Sequence, residues 1–144
     1  MIHRRCVGKS GVIVLVVIDS CILIDWLKQR APMVEILKPY LQRDAWLVCD
    51  LIRCEVLRGI KEPAQQRRMQ ELFSLARSVP MDAVFWDGVW SLGWKLDRAG
   101  TVLPLTDLCL AHLACSQRAT LVTRDRHFAN ISGIVTAGSL PASH

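Results

Sequence analysis

Residues 12–20 read VIVLVVIDS, and this stretch decides the fold. Residues 12–18 are wholly apolar and mostly β-branched, without any alternation of polar and apolar positions. Such a run is typical of a strand covered on both faces, as in parallel sheets. Asp19 and Ser20 follow at once and predict the start of a helix that extends to about Lys28. The stretch therefore predicts a buried strand that leads directly into a helix.

The same order of strand and helix repeats along the chain. Further strands are predicted at residues 46–49, 78–81, 120–123 and 133–136, and helices at 33–42, 50–60, 63–76, 82–98 and 107–117. Asp50, Asp82 and Thr106 are the expected N-caps of three helices, and Pro39 is expected to kink or end its own. This order predicts an α/β fold with one domain, residues 12–137. Its central, mostly parallel sheet of four to five strands has helices on both faces.

The ends of the chain are predicted to lie outside the domain. Residues 1–11 are expected to form a poorly ordered extension, and residues 138–144 a tail. The basic leader followed by an apolar run resembles a secretory signal, but Asp19 interrupts the run and no small-residue cleavage site is evident. The run is also far shorter than the roughly 20 residues that span a bilayer. We therefore expect no membrane association.

Composition points to a cytoplasmic protein with a polyanionic partner. The formal net charge of +5 suits contacts with phosphates, although many bacterial proteins are equally basic. None of the six cysteines has CxxC or zinc-finger spacing, and most lie in apolar runs. Reduced, buried cysteines are expected in the cytoplasm rather than a disulfide framework.

Two acids are predicted to meet at one edge of the sheet. Asp19 directly follows the first strand, and Asp125 lies two residues after the strand at 120–123. In open α/β sheets, sites form beyond the carboxyl ends of the strands. Taken singly, Asp19 could be only a helix cap and Asp125 only a turn residue.

Two further acids lie on helices that are expected to be buried. Asp107 is in the first turn of a helix that is apolar nearly all round, although acids there also complement the helix dipole. Glu55 lies beside an apolar stripe, where a carboxylate is costly unless it is paired, hydrogen-bonded or metal-bound. The alternative is a Glu55 side chain that reaches solvent.

Four converging carboxylates would repel one another and raise their pKa values, and a divalent cation would relieve this repulsion. Mg²⁺ and Mn²⁺ prefer oxygen ligands, and an activated water at such a site can attack a phosphodiester. A phosphoryl-transfer enzyme would instead want a second Asp two residues after the first, and Cys21 stands there.

Four stretches resemble the PIN-domain family, in particular the toxin nucleases of VapBC type. They are VIDS at residues 17–20, CEVLRG at 54–59, LTDLCLA at 105–111 and LVTRDRHF at 121–128. Each is weak alone, but their order and spacing are fairly specific, and the resemblance covers roughly residues 14–136.

The resemblance implies an active, Mg²⁺- or Mn²⁺-dependent endoribonuclease. It assigns catalytic and metal-binding roles to Asp19, Glu55, Asp107 and Asp125. It also implies an RNA substrate, a cognate antitoxin and a homodimer. Ser20 and Thr123 match hydroxyl positions that help to organise the site. His127 stands where the family often has an additional acid, so that ligand is in doubt.

Basic and aromatic residues suggest where partners bind. Arg58, Arg124 and Arg126 lie near the acids in sequence and either guide an RNA backbone or form a solvated surface. Trp86, Trp90 and Trp94 form a stripe at i, i+4, i+8 beside a separate apolar stripe. Because one helix cannot usually bury both stripes against its own sheet, we expect the tryptophans at an interface with the antitoxin or a second protomer.

Two alternatives to a toxin stay open. One is a non-catalytic PIN-like module that binds RNA or protein, and the presence of all four acids argues against it. The other is an RNA-processing nuclease outside any toxin pair.

Overall fold

The structure is a computed structural model that describes residues 13–142. The prediction for residues 1–11 therefore lies outside the described residues. Five strands form one sheet in the order β3-β2-β1-β4-β5, and every neighbouring pair is parallel. The strands are β1 Val16–Ile18, β2 Trp46–Val48, β3 Arg77–Ser78, β4 Thr120–Val122 and β5 Val135–Ala137. This confirms the predicted α/β class.

Helices connect the strands and cover both faces of the sheet. They are α1 Ser20–Lys28, α2 Met33–Gln42, α3 Asp50–Gly59, α4 Pro63–Leu75, α5 Ala83–Arg98 and α6 Leu105–Gln117, with a 3₁₀ helix at Arg126–Asn130. Parallel crossovers are right-handed. Helices α1–α4 therefore lie on one face, and α5 and α6, which return the chain from β3 to β4, lie on the other. None of the helices between residues 13 and 142 combines the length and apolar character that a membrane span requires.

Strand β1 lies at the centre of the sheet and is completely buried. It is shorter than the predicted run of residues 12–18, because both of its neighbours pair with it only from Val16 onwards. Ile18 is in register with Val122 of β4, so β1 and β4 end at the same level. The residues that follow these two strands are thus brought together.

The helix caps agree only in part with the sequence. Asp82 caps α5 as predicted, since its Oδ1 accepts a hydrogen bond of 3.0 Å from the Phe85 N–H. The predictions for Thr106 and Asp50 were wrong, because α6 begins after Pro104 and α3 after Cys49. Proline suits the α6 boundary, because it cannot donate a backbone hydrogen bond.

Two close contacts fix the positions of the helices, one between α4 and the sheet and one between α5 and α6. Trp46 of β2 stacks on Phe73 of α4 with 5.7 Å between ring centroids. Helices α5 and α6 meet at Gly88, where an added Cβ would lie 2.0 Å from Cε1 of His112. The same imidazole packs edge-on against Phe85, with 5.0 Å between centroids. This contact holds α6, which carries Asp107, in place.

Candidate active site

The candidate site lies where β1 and β4 end. The chain moves from β1 outward through β2 to β3 and then crosses back to β4, so a topological switch point lies between β1 and β4. Asp19 directly follows β1, and its N–H donates a 2.9 Å hydrogen bond to the Val122 carbonyl. The Asp19 residue is only 9% exposed. The sheet thus places this carboxylate in the crevice where α/β folds bind ligands.

Hydroxyl groups hold the Asp19 carboxylate. The Thr123 hydroxyl donates to Asp19 Oδ2 at 2.8 Å, in a buried bond, and Ser20 Oγ donates to Oδ1 at 3.4 Å. Thr123 Oγ1 in turn accepts a 3.1 Å bond from the Asp125 N–H. One side chain therefore links the two acids that follow β1 and β4.

Cys21 also lies near this network, and nothing in the sequence pointed to this position. Its thiol is close enough to the Asp19 side chain and to the backbone N–H of Arg124 for both to affect its pKa. Burial raises the pKa of the thiol, and the nearby Asp19 charge raises it further. The group is therefore a neutral thiol at pH 7.

Asp125 is held by its own turn. Its Oδ1 accepts 2.9 Å from the His127 N–H and caps the 3₁₀ helix. The same oxygen lies 2.8 Å from His127 Nδ1. His127 thus provides a partner to Asp125, and its imidazole is largely exposed.

Asp107 lies in the first turn of α6 and is partly buried. Burial is the main cause that raises its pKa above the usual value, and the charges of Asp125, Asp19 and Glu55 raise it further. Only His127 acts in the opposite direction. The four predicted acids therefore share one electrostatic environment.

Glu55 approaches this environment from the opposite face of the sheet. Buried Ile52 and Val56 fix α3 against the core, and Glu55 lies beside them, partly buried. Its charge contributes, after burial and Cys49, to raising the pKa of Cys109 on α6 to about 11. The charge of Glu55 therefore acts on a side chain of α6.

The donor set fits a hard divalent cation in its chemistry. All four groups offer carboxylate oxygens. Among the ion pairs within residues 13–142, the pair of His127 with Asp125 is the one that involves any of these acids. The negative charge that the other acids impose on Asp107 is of the kind that a bound cation would offset. Within the same residues, no three His, Cys, Asp or Glu side chains are grouped closely enough to hold a metal ion. The metal-binding roles therefore stay a prediction.

The arginines near the site differ in their environments. Arg58 and Arg126 are exposed, as RNA contacts would require. Arg124, in contrast, forms an ion pair with Asp25 of α1. No signal in the sequence links these two positions, because the fold alone brings α1 and the turn after β4 together.

The tryptophan stripe on α5 is exposed, as expected for an interface. Trp86, Trp90 and Trp94 are 40%, 64% and 55% exposed. The indole N–H of Trp90 donates to Asp87 at 3.2 Å, and the Arg98 guanidinium lies 4.6 Å from the Trp94 ring centroid. Large apolar surface of this kind marks a protein-binding site more often than a free surface. We call these three residues the tryptophan surface.

A groove of about 460 Å³ lies between α1, α2 and α4, away from the four acids. Apolar residues form much of it, among them Trp26, Leu27, Met33 and Met69. Arg30, Arg68 and Glu62 are also among its lining residues. The groove thus offers apolar contacts together with a net positive charge from its charged lining residues.

The fold and the acids at its switch point define one α/β domain with an acidic crevice, and comparison with known proteins identifies the family. The family model described as "PIN domain" matches residues 16–134. The chain belongs to the PIN-domain family. The comparison with curated protein sequences gave no significant match.

Solved structures share this fold at low sequence identity. A chain of DNA-bound VapBC from Salmonella typhimurium matches with a TM-score of 0.70 and 21% identity, over 86% of this chain and 97% of that one. VapBC2 from Rickettsia felis, bound to a promoter DNA fragment, matches with a TM-score of 0.70 and 18% identity, over 86% and 98%. A chain of a toxin–antitoxin complex from Klebsiella pneumoniae matches with a TM-score of 0.65 and 24% identity, over 84% of this chain and 96% of that one.

Proposed function

We propose that this chain is a metal-dependent endoribonuclease and the toxin of a toxin–antitoxin pair. The observation that carries the proposal is the meeting of Asp19 and Asp125 at the switch point of a PIN fold, where the Thr123 hydroxyl bonds to both residues. Burial, and after it the charges of the other three acids, raises the pKa of Asp107 nearby. A cluster of negative charge is costly for a stable fold and useful for binding a cation. Membership of the family and the VapBC structures of the same fold support the proposal.

Each acid has a defined role in the proposed reaction. Asp19, Glu55, Asp107 and Asp125 would hold Mg²⁺ or Mn²⁺, which would supply an activated water and neutralise charge on the phosphodiester. Thr123 and Ser20 fix the orientation of the Asp19 carboxylate through their hydroxyls. The turn that begins at Thr123 presents Asp125 from the neighbouring strand.

RNA would approach this acidic edge along exposed basic residues. Arg58 lies one turn after Glu55 on α3, and Arg126 follows Asp125 directly. Their guanidinium groups would contact phosphates, which bind without reading sequence. Replacing either arginine by Gln should raise KM and weaken its dependence on salt, with little change in kcat.

An antitoxin would bind in the groove between α1, α2 and α4. An apolar segment that also carries acidic residues would fit, because Arg30 and Arg68 lie among apolar side chains there. Binding would inhibit cleavage from outside the acidic site. The change Arg68→Glu should weaken co-purification with the antitoxin and leave cleavage by the free toxin unchanged.

A second copy of the chain would cover the tryptophan surface. Asp87 and Arg98 flank it on the same side, about three turns apart. Antiparallel pairing of two α5 helices about Trp90 would bring Trp86 towards the partner copy's Trp94, with Asp87 and Arg98 of both copies on the contact face. This self-complementarity of charge favours a symmetric homodimer.

The proposal is tested with purified wild-type protein and two variants on total bacterial RNA. Asp19→Asn removes a site charge, and Asp44→Asn is the matched control, because Asp44 precedes β2 at the opposite edge of the sheet. Its backbone φ of 51° is well tolerated by Asn. We expect discrete cleavage with Mg²⁺ or Mn²⁺ by the wild type and Asp44→Asn, and none by Asp19→Asn or in EDTA.

Three outcomes would contradict the proposal in different ways. RNA binding without cleavage under any ion, once a bound antitoxin is excluded, would favour a non-catalytic module. Cleavage without growth arrest on expression would favour an RNA-processing nuclease outside a toxin pair. Full cleavage by Asp19→Asn would overturn the catalytic site itself.

A further inference from the structure

The ion pair between Asp25 and Arg124 connects two elements that each carry a site acid. Asp25 lies on α1, the helix that begins immediately after Asp19. Arg124 lies between Thr123 and Asp125 in the turn after β4. Its Nη1 donates to Asp25 Oδ2, and the two side chains are 55% and 33% exposed, respectively. Arg124 was predicted either to guide an RNA backbone or to lie on a solvated surface, and its pairing with Asp25 was not predicted.

The pair adds a contact where the turn is otherwise held by few bonds. Two hydrogen bonds fix the start of the turn. The Asp19 N–H donates to the Val122 carbonyl, and the buried Thr123 hydroxyl donates to the Asp19 carboxylate. Beyond Thr123, the hydrogen bonds of Asp125 join it to Thr123 and His127, which belong to the same turn. The Arg124 side chain is thus a further connection from this turn to α1, beside the Cys21 thiol, and it is adjacent to Asp125.

We propose that Asp25 and Arg124 are positioning residues, which hold the Asp125 turn against α1 and so set the placement of Asp125 relative to Asp19. This inference rests on the proposed function. A half-exposed ion pair contributes little to overall stability, because solvent screens it. Displacement of a reacting group by about 1 Å can lower a rate by about 100-fold. Loss of the pair should therefore lower activity far more than stability.

A role of Arg124 in RNA binding predicts a different result for Asp25. If the guanidinium binds a phosphate, Asp25 competes with the RNA, and Asp25→Asn would leave binding unchanged or tighten it. If the pair positions Asp125, loss of either partner has the same effect on turnover. The two roles are therefore separated by Asp25, which has the wrong charge to bind RNA.

The test compares Asp25→Asn, Arg124→Gln and the double variant with the wild type, in single-turnover and steady-state cleavage with Mn²⁺. Asp44→Asn and Arg118→Asn are the controls, because each removes one charge at the opposite edge of the sheet. We expect each single variant to lose about tenfold in kcat with KM changed less than about twofold. The double variant should be no worse than either single variant, and Arg124→Lys should recover part of the loss.

A second measurement does not depend on activity. The amide N–H groups of Asp125 and His127 are both hydrogen-bonded within the turn, so their hydrogen exchange reports its order. Exchange at both should accelerate in Asp25→Asn and in Arg124→Gln, while the Phe85 amide at the α5 cap stays protected. If exchange is faster in both variants but the wild type cleaves no RNA, the proposed function is overturned. The role of the ion pair in holding the Asp125 turn would still be supported.

Full kcat in Asp25→Asn, or multiplied losses in the double variant, would overturn the positioning role. So would unchanged exchange at Asp125 and His127 in both single variants. A rise in KM for Arg124→Gln with normal kcat would assign this arginine to RNA binding instead.

Discussion

Replacing Thr123 by Val tests the hydrogen-bond network at the site. The change keeps the shape of the side chain but removes the hydroxyl that donates to Asp19 Oδ2 at 2.8 Å and accepts from the Asp125 N–H at 3.1 Å. A bond to a charged group contributes about 1.5–3 kcal/mol, and a neutral one about 0.5–1.5. Because both are lost and Asp19 stays buried, we expect Thr123→Val to lower the free energy of unfolding by about 2–4 kcal/mol.

Urea unfolding measures this loss, with two comparison variants. Thr123→Ser keeps the hydroxyl and should lose about 1 kcal/mol from its missing methyl group. Ser20→Ala removes only the 3.4 Å bond to Asp19 and should cost less than about 1 kcal/mol. In thermal unfolding, Thr123→Val should melt about 6–12 °C below the wild type. Equal stability of Thr123→Val and Thr123→Ser would refute the reasoning, since the hydroxyl would then contribute nothing.

Four further predictions concern charge, packing and assembly. Asp107→Asn should raise Tm at pH 7, because the raised pKa of Asp107 means that its ionised carboxylate destabilises the folded state. This gain in Tm over the wild type should vanish below about pH 4, where the carboxyl group is protonated in both the folded and the unfolded state. A gain that persists below that pH would contradict this reasoning. Burial lowers the pKa of His112, so the free energy of unfolding should fall as pH drops below about 6.5, and His112→Gln should flatten this dependence in a pH series of urea curves. Gly88→Ala should destabilise by about 1–3 kcal/mol, because the new Cβ would collide with the His112 ring, and the same change in a His112→Ala background should cost clearly less. Trp90→Glu should shift a dimer to a monomer in analytical ultracentrifugation, and an unchanged sedimentation coefficient would exclude the tryptophan surface as the contact.

The buried strand and the edge it forms could be predicted from the sequence. The run before Asp19 has no polar position, and a strand without alternation must be covered on both faces. The alternation of strands and helices predicts a parallel sheet. Because parallel strands end at the same edge, it also predicts that Asp19 and Asp125 lie together there. The exposure of the tryptophan surface was predictable because one helix carries two apolar stripes.

Contacts between distant positions could not be predicted in this way. The pairing of Asp25 with Arg124 and the proximity of Cys21 to Arg124 depend on how α1 meets the turn after β4. Local patterns also failed at the start of α6, where Thr106 looks like a cap but Pro104 precedes the first helical residue. Side-chain placement at element ends is set by tertiary packing, which overrides such local signals.

Binding of Mn²⁺ and cleavage of RNA, followed in the same sample, test the central claim most directly. Free Mn²⁺ is measured by electron paramagnetic resonance while a defined RNA is cleaved. For the wild type and for Asp44→Asn, we predict that bound Mn²⁺ and cleavage rate rise over the same range of concentration. For Asp107→Asn, we predict that both are lost although the protein is folded. Cleavage at full rate in EDTA, or binding and cleavage unchanged in Asp107→Asn, would contradict the account.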